Sequence, residues 1–153
     1  GEDRCPKRRA AGFSILEAVM VLLIVAVVIG ALTPGVVRTI SHARINRAAN
    51  VVAAQFYLAQ SMAGRQRRPV TLTVDASAKT ITIADGVSPF TTLVVRQFGT
   101  GSEFKITAFS ASRTSVYLLP NGMTNAADTV SVSDGTYTQR VCVSRAGQIR
   151  ILR

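Results

Sequence analysis

The chain has 153 residues, 48% of them hydrophobic and only 17% charged, a length that suits one ordinary domain with one appended element and argues against a two-domain enzyme. Eighteen Lys and Arg against eight Asp and Glu give a formal charge of +10, which favours acidic partners such as phosphates without specifying a function. A mean hydropathy of +0.29 beside that charge requires the apolar residues to be concentrated, and they cluster near the N-terminus.

Residues 1–12 carry four basic and two acidic side chains, with Lys7, Arg8 and Arg9 just ahead of Ala10, Ala11 and Gly12. Residues 18–37 then run for twenty positions without a charge. As a helix rising about 1.5 Å per residue, this stretch covers roughly 30 Å, the thickness of bilayer hydrocarbon. The basic residues before it place the leader in the cytoplasm and everything after Arg38 outside. A conventional secretory signal peptide is the plain alternative. Against it, Gly30-Ala31 is a poor cleavage site, and Glu17 stands inside the apolar run, where an unpaired carboxylate costs about 2.5–3.5 kcal/mol at membrane depth. Cys5 and Cys142 fall on opposite sides of the span, so no disulfide is expected, and with the single His42 they do not make a four-ligand zinc site.

The run Lys7-Arg8-Arg9-Ala10-Ala11-Gly12, followed by Phe13-Ser14-Ile15-Leu16-Glu17, resembles the class III signal of type IV prepilins. The resemblance implies that a prepilin peptidase cuts after Gly12 and N-methylates Phe13. It further implies that Glu17 pairs with the N-terminal amine of a neighbouring subunit during filament assembly. Pro34 sits where pilins commonly carry a helix-kinking proline, and it lacks the amide hydrogen that the helical ladder needs. The expected localisation is the bacterial inner membrane, single-pass, with a cytoplasmic leader and a head exported to the periplasm or a cell-surface filament. The expected partners are that membrane, the peptidase, and other pilins or pseudopilins met through the N-terminal helix.

From Arg38 to about Ala63, Ile45, Ala48, Val52, Phe56, Ala59 and Met62 recur every three or four residues, as in an amphipathic helix with one buried stripe. Gly64 is the expected C-cap, with Arg65, Arg67 and Arg68 at the negative end of the helix dipole and Pro69 forbidding continuation. Short alternating runs rich in Val, Ile and Thr follow, predicting strands at 70–74, 80–83, 92–98, 104–109, 115–119, 129–132, 139–143 and 148–152. Turns are expected at 75–79, 120–122, 134–136 and 146–147. The inward residues of this pattern are Val70, Leu72, Val74, Ile81, Ile83, Val116, Leu118, Val130, Val132, Val141, Val143, Ile149 and Ile151. The fold class is therefore α+β, a long N-terminal helix followed by an antiparallel β-sheet head. Its parts are a leader (1–12), a transmembrane or filament-core helix half (13–37), an amphipathic helix half (38–68) and a β-rich head (69–153).

The C-terminal segments Val116-Tyr117-Leu118-Leu119-Pro120-Asn121-Gly122, Thr129-Val130-Ser131-Val132 and Arg140-Val141-Cys142-Val143-Ser144-Arg145-Ala146-Gly147-Gln148-Ile149-Arg150 are similar to the GspH/FimT group of minor pilins and pseudopilins. That similarity implies a long helix packed on two antiparallel sheets and a place in a type IV pilus or a type II secretion pseudopilus. No catalytic constellation is present: His42 has no second imidazole or nucleophile to serve, and Gly99-Thr100-Gly101-Ser102 lacks the context of a phosphate loop. Asp75, Asp85, Glu103, Asp128 and Asp134 are spaced as turn residues. A non-enzyme without cofactor or metal is expected. After cleavage the chain would keep fourteen basic and six acidic residues. Arg140, Arg145, Arg150 and Arg153 are candidate contacts to double-stranded DNA, because FimT-type minor pilins of DNA-uptake systems carry a C-terminal Gly-Arg-x-Arg element. Here the run is Gly147-Gln148-Ile149-Arg150, with Gln148 replacing the first Arg. The competing reading is that these arginines guard an edge strand against edge-to-edge pairing.

Overall fold

The computed structural model describes residues 14–152, apart from the side chains at 31–34 and 36. Gly12 and Phe13 therefore lie outside the described residues, as does Arg153. The chain divides into two compact units, one ending at Arg38 and one beginning at Thr39. A single helix, α1 (Ile15–Gln66, 52 residues), contributes to both.

In the first unit Ser14 occupies the N-cap position, and its carbonyl accepts the N–H groups of Glu17 and Ala18 at 3.0 and 3.1 Å. Ile15, Leu16, Leu22 and Ile24 are exposed, and Glu17 stands in the first helical turn. Among the described residues no helix is long and apolar enough to cross a membrane. The uncharged stretch 18–37 includes the side chains that are not described.

In the second unit α1 buries Ile45, Ala48, Ala49, Val52, Ala53, Phe56, Ala59 and Ala63, a three-and-four repeat that forms one continuous stripe. Met62 is half-buried beside it. Small residues at 48, 49, 53, 59 and 63 leave room for the sheets to approach the helix closely. The helix does not stop at Gly64 as expected. It continues to Gln66, and Arg67 takes the left-handed conformation (φ 52°) that ends it, with Pro69 unable to extend the ladder.

The strands are β1 (Val70–Asp75), β2 (Thr80–Asp85), β3 (Thr92–Gln97), β4 (Ala108–Ala111), β5 (Ser115–Leu118), β6 (Asp128–Ser133), β7 (Thr138–Val143) and β8 (Ile149–Leu152). They form two antiparallel sheets, ordered β3-β2-β1-β5 and β4-β6-β7-β8. Alternation places Leu72, Val74, Ile81, Ile83, Val116 and Leu118 inside from the first sheet, and Val130, Val132, Val141 and Val143 inside from the second. Phe98 lies between Phe104 and Phe109, with ring centroids 5.3 and 5.4 Å apart.

Two expectations in this region need correction. The strand expected at 104–109 is displaced to Ala108–Ala111. Lys105 has a positive φ of 48°, which breaks an extended backbone, and Phe104 and Ile106 are buried as core plugs without a strand ladder. Ile149 and Ile151 lie on the inward side of β8 but are not core residues: Ile149 is half-buried and Ile151 is 39% exposed. Both belong to an edge strand with no further strand to cover it.

Candidate functional site

The basic C-terminal residues separate into a face and a turn. Register pairs Arg140 on β7 with Leu152, and Cys142 on β7 with Arg150 on β8. Arg140 and Arg150 are thus diagonal neighbours on the solvent side of the second sheet, about 7–8 Å apart at the backbone. The same face presents Ser110, Thr129, Ser131, Ser133 and Thr138, and Asp128 lines the hollow beside Arg150 at its end. Arg145 is exposed in the turn between β7 and β8. Cys142 is a free thiol with its Sγ 3.4 Å from Thr129 Oγ1.

That turn is held by residues with no motif in the sequence. Gln60 on α1 donates its Nε2 to the carbonyl oxygens of Gly147 at 2.8 Å and Gly122 at 3.3 Å. Gly147 has φ 78°, and a Cβ there would fall on the Gly122 carbonyl oxygen, so the position admits only glycine. The Gly147 N–H donates to Ser144 O, while buried Thr124 donates its hydroxyl to Ser144 O at 3.0 Å.

A second anchor is Asp128, which is 2% exposed. Its Oδ1 accepts the Ser112 hydroxyl at 2.6 Å, the Thr129 N–H at 2.8 Å and the Arg113 N–H at 2.9 Å. A third joins the helix to β7: Gln139 Nε2 donates to Asn46 Oδ1 at 2.8 Å, and Asn46 Nδ2 to His42 Nδ1 at 3.0 Å. The His42 ring meets Tyr137 edge-on at 5.1 Å. Hydropathy patterning cannot find such amides and carboxylates, because they look like surface residues until the fold brings their partners to them.

Two carboxylates titrate below the ordinary range. The Ser77 hydroxyl, with the Ala78 N–H next, lowers the Asp75 carboxyl. Burial raises Asp134, but the N–H groups of Tyr137 and Thr136 outweigh it and hold that carboxyl low. Both side chains close turns, as the sequence suggested.

Among the described residues no three of His, Cys, Asp and Glu lie close enough to share a metal ion. Glu17 is exposed, and α1 continues through position 34, whose side chain is not described.

Residues 48–147 match the family described as type II transport protein GspH. The minor pilin FimU of the Pseudomonas aeruginosa type IV pilus is similar in structure, at 17% identity and a TM-score of 0.59 over 73% of this chain and 90% of its own. The minor pseudopilin EpsH of the Vibrio cholerae type II secretion system is similar at 12% identity and a TM-score of 0.59, over 71% of this chain and 96% of its own. A comparison with curated proteins returned no match. Both structures share the α+β arrangement of a helix followed by antiparallel sheets. The family model covers well over half of the sequence, and the chain belongs to the GspH family of pilin-like structural subunits, which are not enzymes.

Proposed function

We propose that this chain is a minor pilin or pseudopilin, processed after Gly12 and assembled through its N-terminal helix into a type IV pilus or a type II secretion pseudopilus. The observation that carries the reading is the order of parts along one chain. A run that resembles a class III signal precedes an uncharged helical stretch, which leads into a helix stripe buried under a two-sheet head. In this reading the uncharged stretch anchors the subunit in the inner membrane, a single span with the leader cytoplasmic and the head exported. The same stretch is later buried among neighbouring helices in the filament, where Pro34 kinks it. Glu17 supplies the registration, its carboxylate meeting a neighbour's N-terminal amine. The position in the first turn of α1 also sets the carboxylate against the positive helix end.

Two measurements test this. Mass spectrometry of protein from cells that contain the peptidase should find an N-terminal methylated Phe13; an N-terminus at Ala31 would establish a conventional signal peptide instead. Glu17→Leu should leave membrane insertion intact and abolish incorporation into filaments, and normal incorporation would remove the proposed pairing.

The second reading, DNA capture by the head, is favoured by one specific feature: the strand face that presents Arg140 and Arg150 as diagonal neighbours, with Arg145 exposed in the turn that joins their strands. The contacts would be to phosphates, since no aromatic platform or reading helix accompanies the arginines. Duplex-DNA titration at two salt concentrations tests it, because each neutralised phosphate adds about 0.9 to the slope of log K against log salt. Absence of binding at low salt would leave the arginines as guards of the β8 edge.

A further inference from the structure

We propose that a groove on the second unit, lined by Ile40, Ala43, Arg44, Arg47 and Glu103, binds the phosphate headgroup of an anionic membrane lipid. The proposal rests on the membrane-anchored reading above.

Ile40, Ala43, Arg44 and Arg47 follow the i, i+3, i+4, i+7 spacing of one helix face. The core-facing side of the same helix buries Ile45, Ala48, Ala49 and Val52, so the groove side is the one left to solvent. The groove measures about 390 Å³, room for a headgroup. Its one carboxylate is already engaged: Glu103 accepts from Arg96 Nη2 at 3.4 Å, and the Arg96 guanidinium lies 5.9 Å from the Phe104 ring centre. Arg44 is half-buried and Arg47 exposed, and neither has a hydrogen-bond or ion-pair partner among the described residues. With Arg96 and Glu103 included, the cluster carries a net charge of +2. Arg44 and Arg47 outnumber the single Glu103 carboxylate of the groove, and that excess of positive charge favours an incoming anion, whose phosphate oxygens match the fork of guanidinium donors.

Position selects a lipid over a dissolved anion. Arg44 and Arg47 follow the last residue of the uncharged stretch by only seven and ten residues along the chain. The headgroup layer is about 5–7 Å deep, and long arginine stems reach back toward it. Ile40, 51% exposed at the near side of the two arginines, offers an apolar neighbour for the glycerol end of a lipid.

The test uses the full chain reconstituted into vesicles of phosphatidylcholine alone or with phosphatidylglycerol added. Resistance to alkaline carbonate extraction from both vesicle types reports anchoring by itself; release from both would overturn the anchored reading and this proposal with it. With anchoring established, phenylglyoxal should modify Arg44 and Arg47 about fivefold more slowly in the phosphatidylglycerol vesicles. Arg67 and Arg145 should react equally in both, and high salt should restore the rate at Arg44 and Arg47. Amide exchange at residues 102–105 should also slow with phosphatidylglycerol in the wild-type chain but not in R44Q/R47Q, which remains carbonate-resistant. Equal modification in both vesicle types, or protection persisting in R44Q/R47Q, would overturn the assignment. Equal protection by inorganic phosphate in phosphatidylcholine vesicles would transfer the site to a dissolved anion and overturn the lipid.

Discussion

Gln60 and Gly147 are 87 residues apart in sequence, and the amide of one donates to the carbonyl of the other at 2.8 Å. This bond ties the C-terminal part of the amphipathic helix to the turn that launches the last strand. It fixes where Arg145 and Arg150 emerge. Gln60→Leu should destabilise the protein by about 1–3 kcal/mol, because the carbonyls of Gly147 and Gly122 lose a shared donor. Gly147→Ala should cost more, since it adds a steric clash to the strain of a positive φ. Chemical denaturation of the two variants would rank them; the reverse order would mean that the turn relaxes freely.

Asp128 clamps the connection between β4 and β5 through two hydrogen bonds, from the Ser112 hydroxyl and the Arg113 N–H, to a carboxylate oxygen that also accepts the N–H of neighbouring Thr129. Asp128→Ala should cost roughly 2–4 kcal/mol, from several lost bonds and donors left without a partner. Asp128→Asn, which keeps an acceptor oxygen, should cost less. Thermal unfolding of the pair separates hydrogen bonding from simple loss of volume.

Gly64 is helical, and a Cβ built there meets nothing closer than the Pro120 carbonyl oxygen at 3.8 Å, an ordinary contact. Gly64→Ala should therefore stabilise the protein by about 0.5–1 kcal/mol, through reduced freedom of the unfolded chain and better helix propensity. A higher denaturation midpoint with an unchanged denaturant slope would establish it. A fall in stability would show that the helix needs the glycine after all.

Asp75 and Asp134 have carboxyls lowered in the folded state from an ordinary value of 3.8. The unfolded chain therefore binds protons more readily, and acid favours unfolding. Stability from these two groups should be fully present well above pH 3.8 and be lost as the pH falls through the lower folded-state values. Asp75→Asn/Asp134→Asn should flatten that acid limb of the unfolding midpoint while leaving neutral-pH behaviour to other residues. An unchanged acid limb in the double variant would place the pH dependence elsewhere.

Much of this molecule is written in local pattern. The three-and-four repeat from Ile45 to Ala59 predicts the buried helix stripe, and period-two alternation predicts the inward faces of β1, β2, β5, β6 and β7, because burial on one side of a regular element leaves a periodic trace. Turn chemistry is equally local: Gly122, Gly135 and Gly147 all take positive φ at the expected turns. Pattern misled at Phe104 and Ile106, where apolar residues serve the core from irregular backbone. It also misled at the helix end, where an arginine rather than the nearby glycine adopts the left-handed conformation.

The candidate sites divide in the same way. The signal around Gly12 and the carboxylate at Glu17 are contiguous in the chain, so sequence alone identifies them as candidates. The shared face of Arg140 and Arg150, the groove that Arg44 and Arg47 line together with Glu103, and the anchors at Gln60 and Asp128 depend on strand register and helix placement. These are set by packing among residues tens of positions apart, and a polar side chain carries no periodic mark of the distant partner that will bury it. The sequence by itself determined the fold class, the element order and the core faces; the tertiary structure alone decided which polar residues are structural and which cations share a surface.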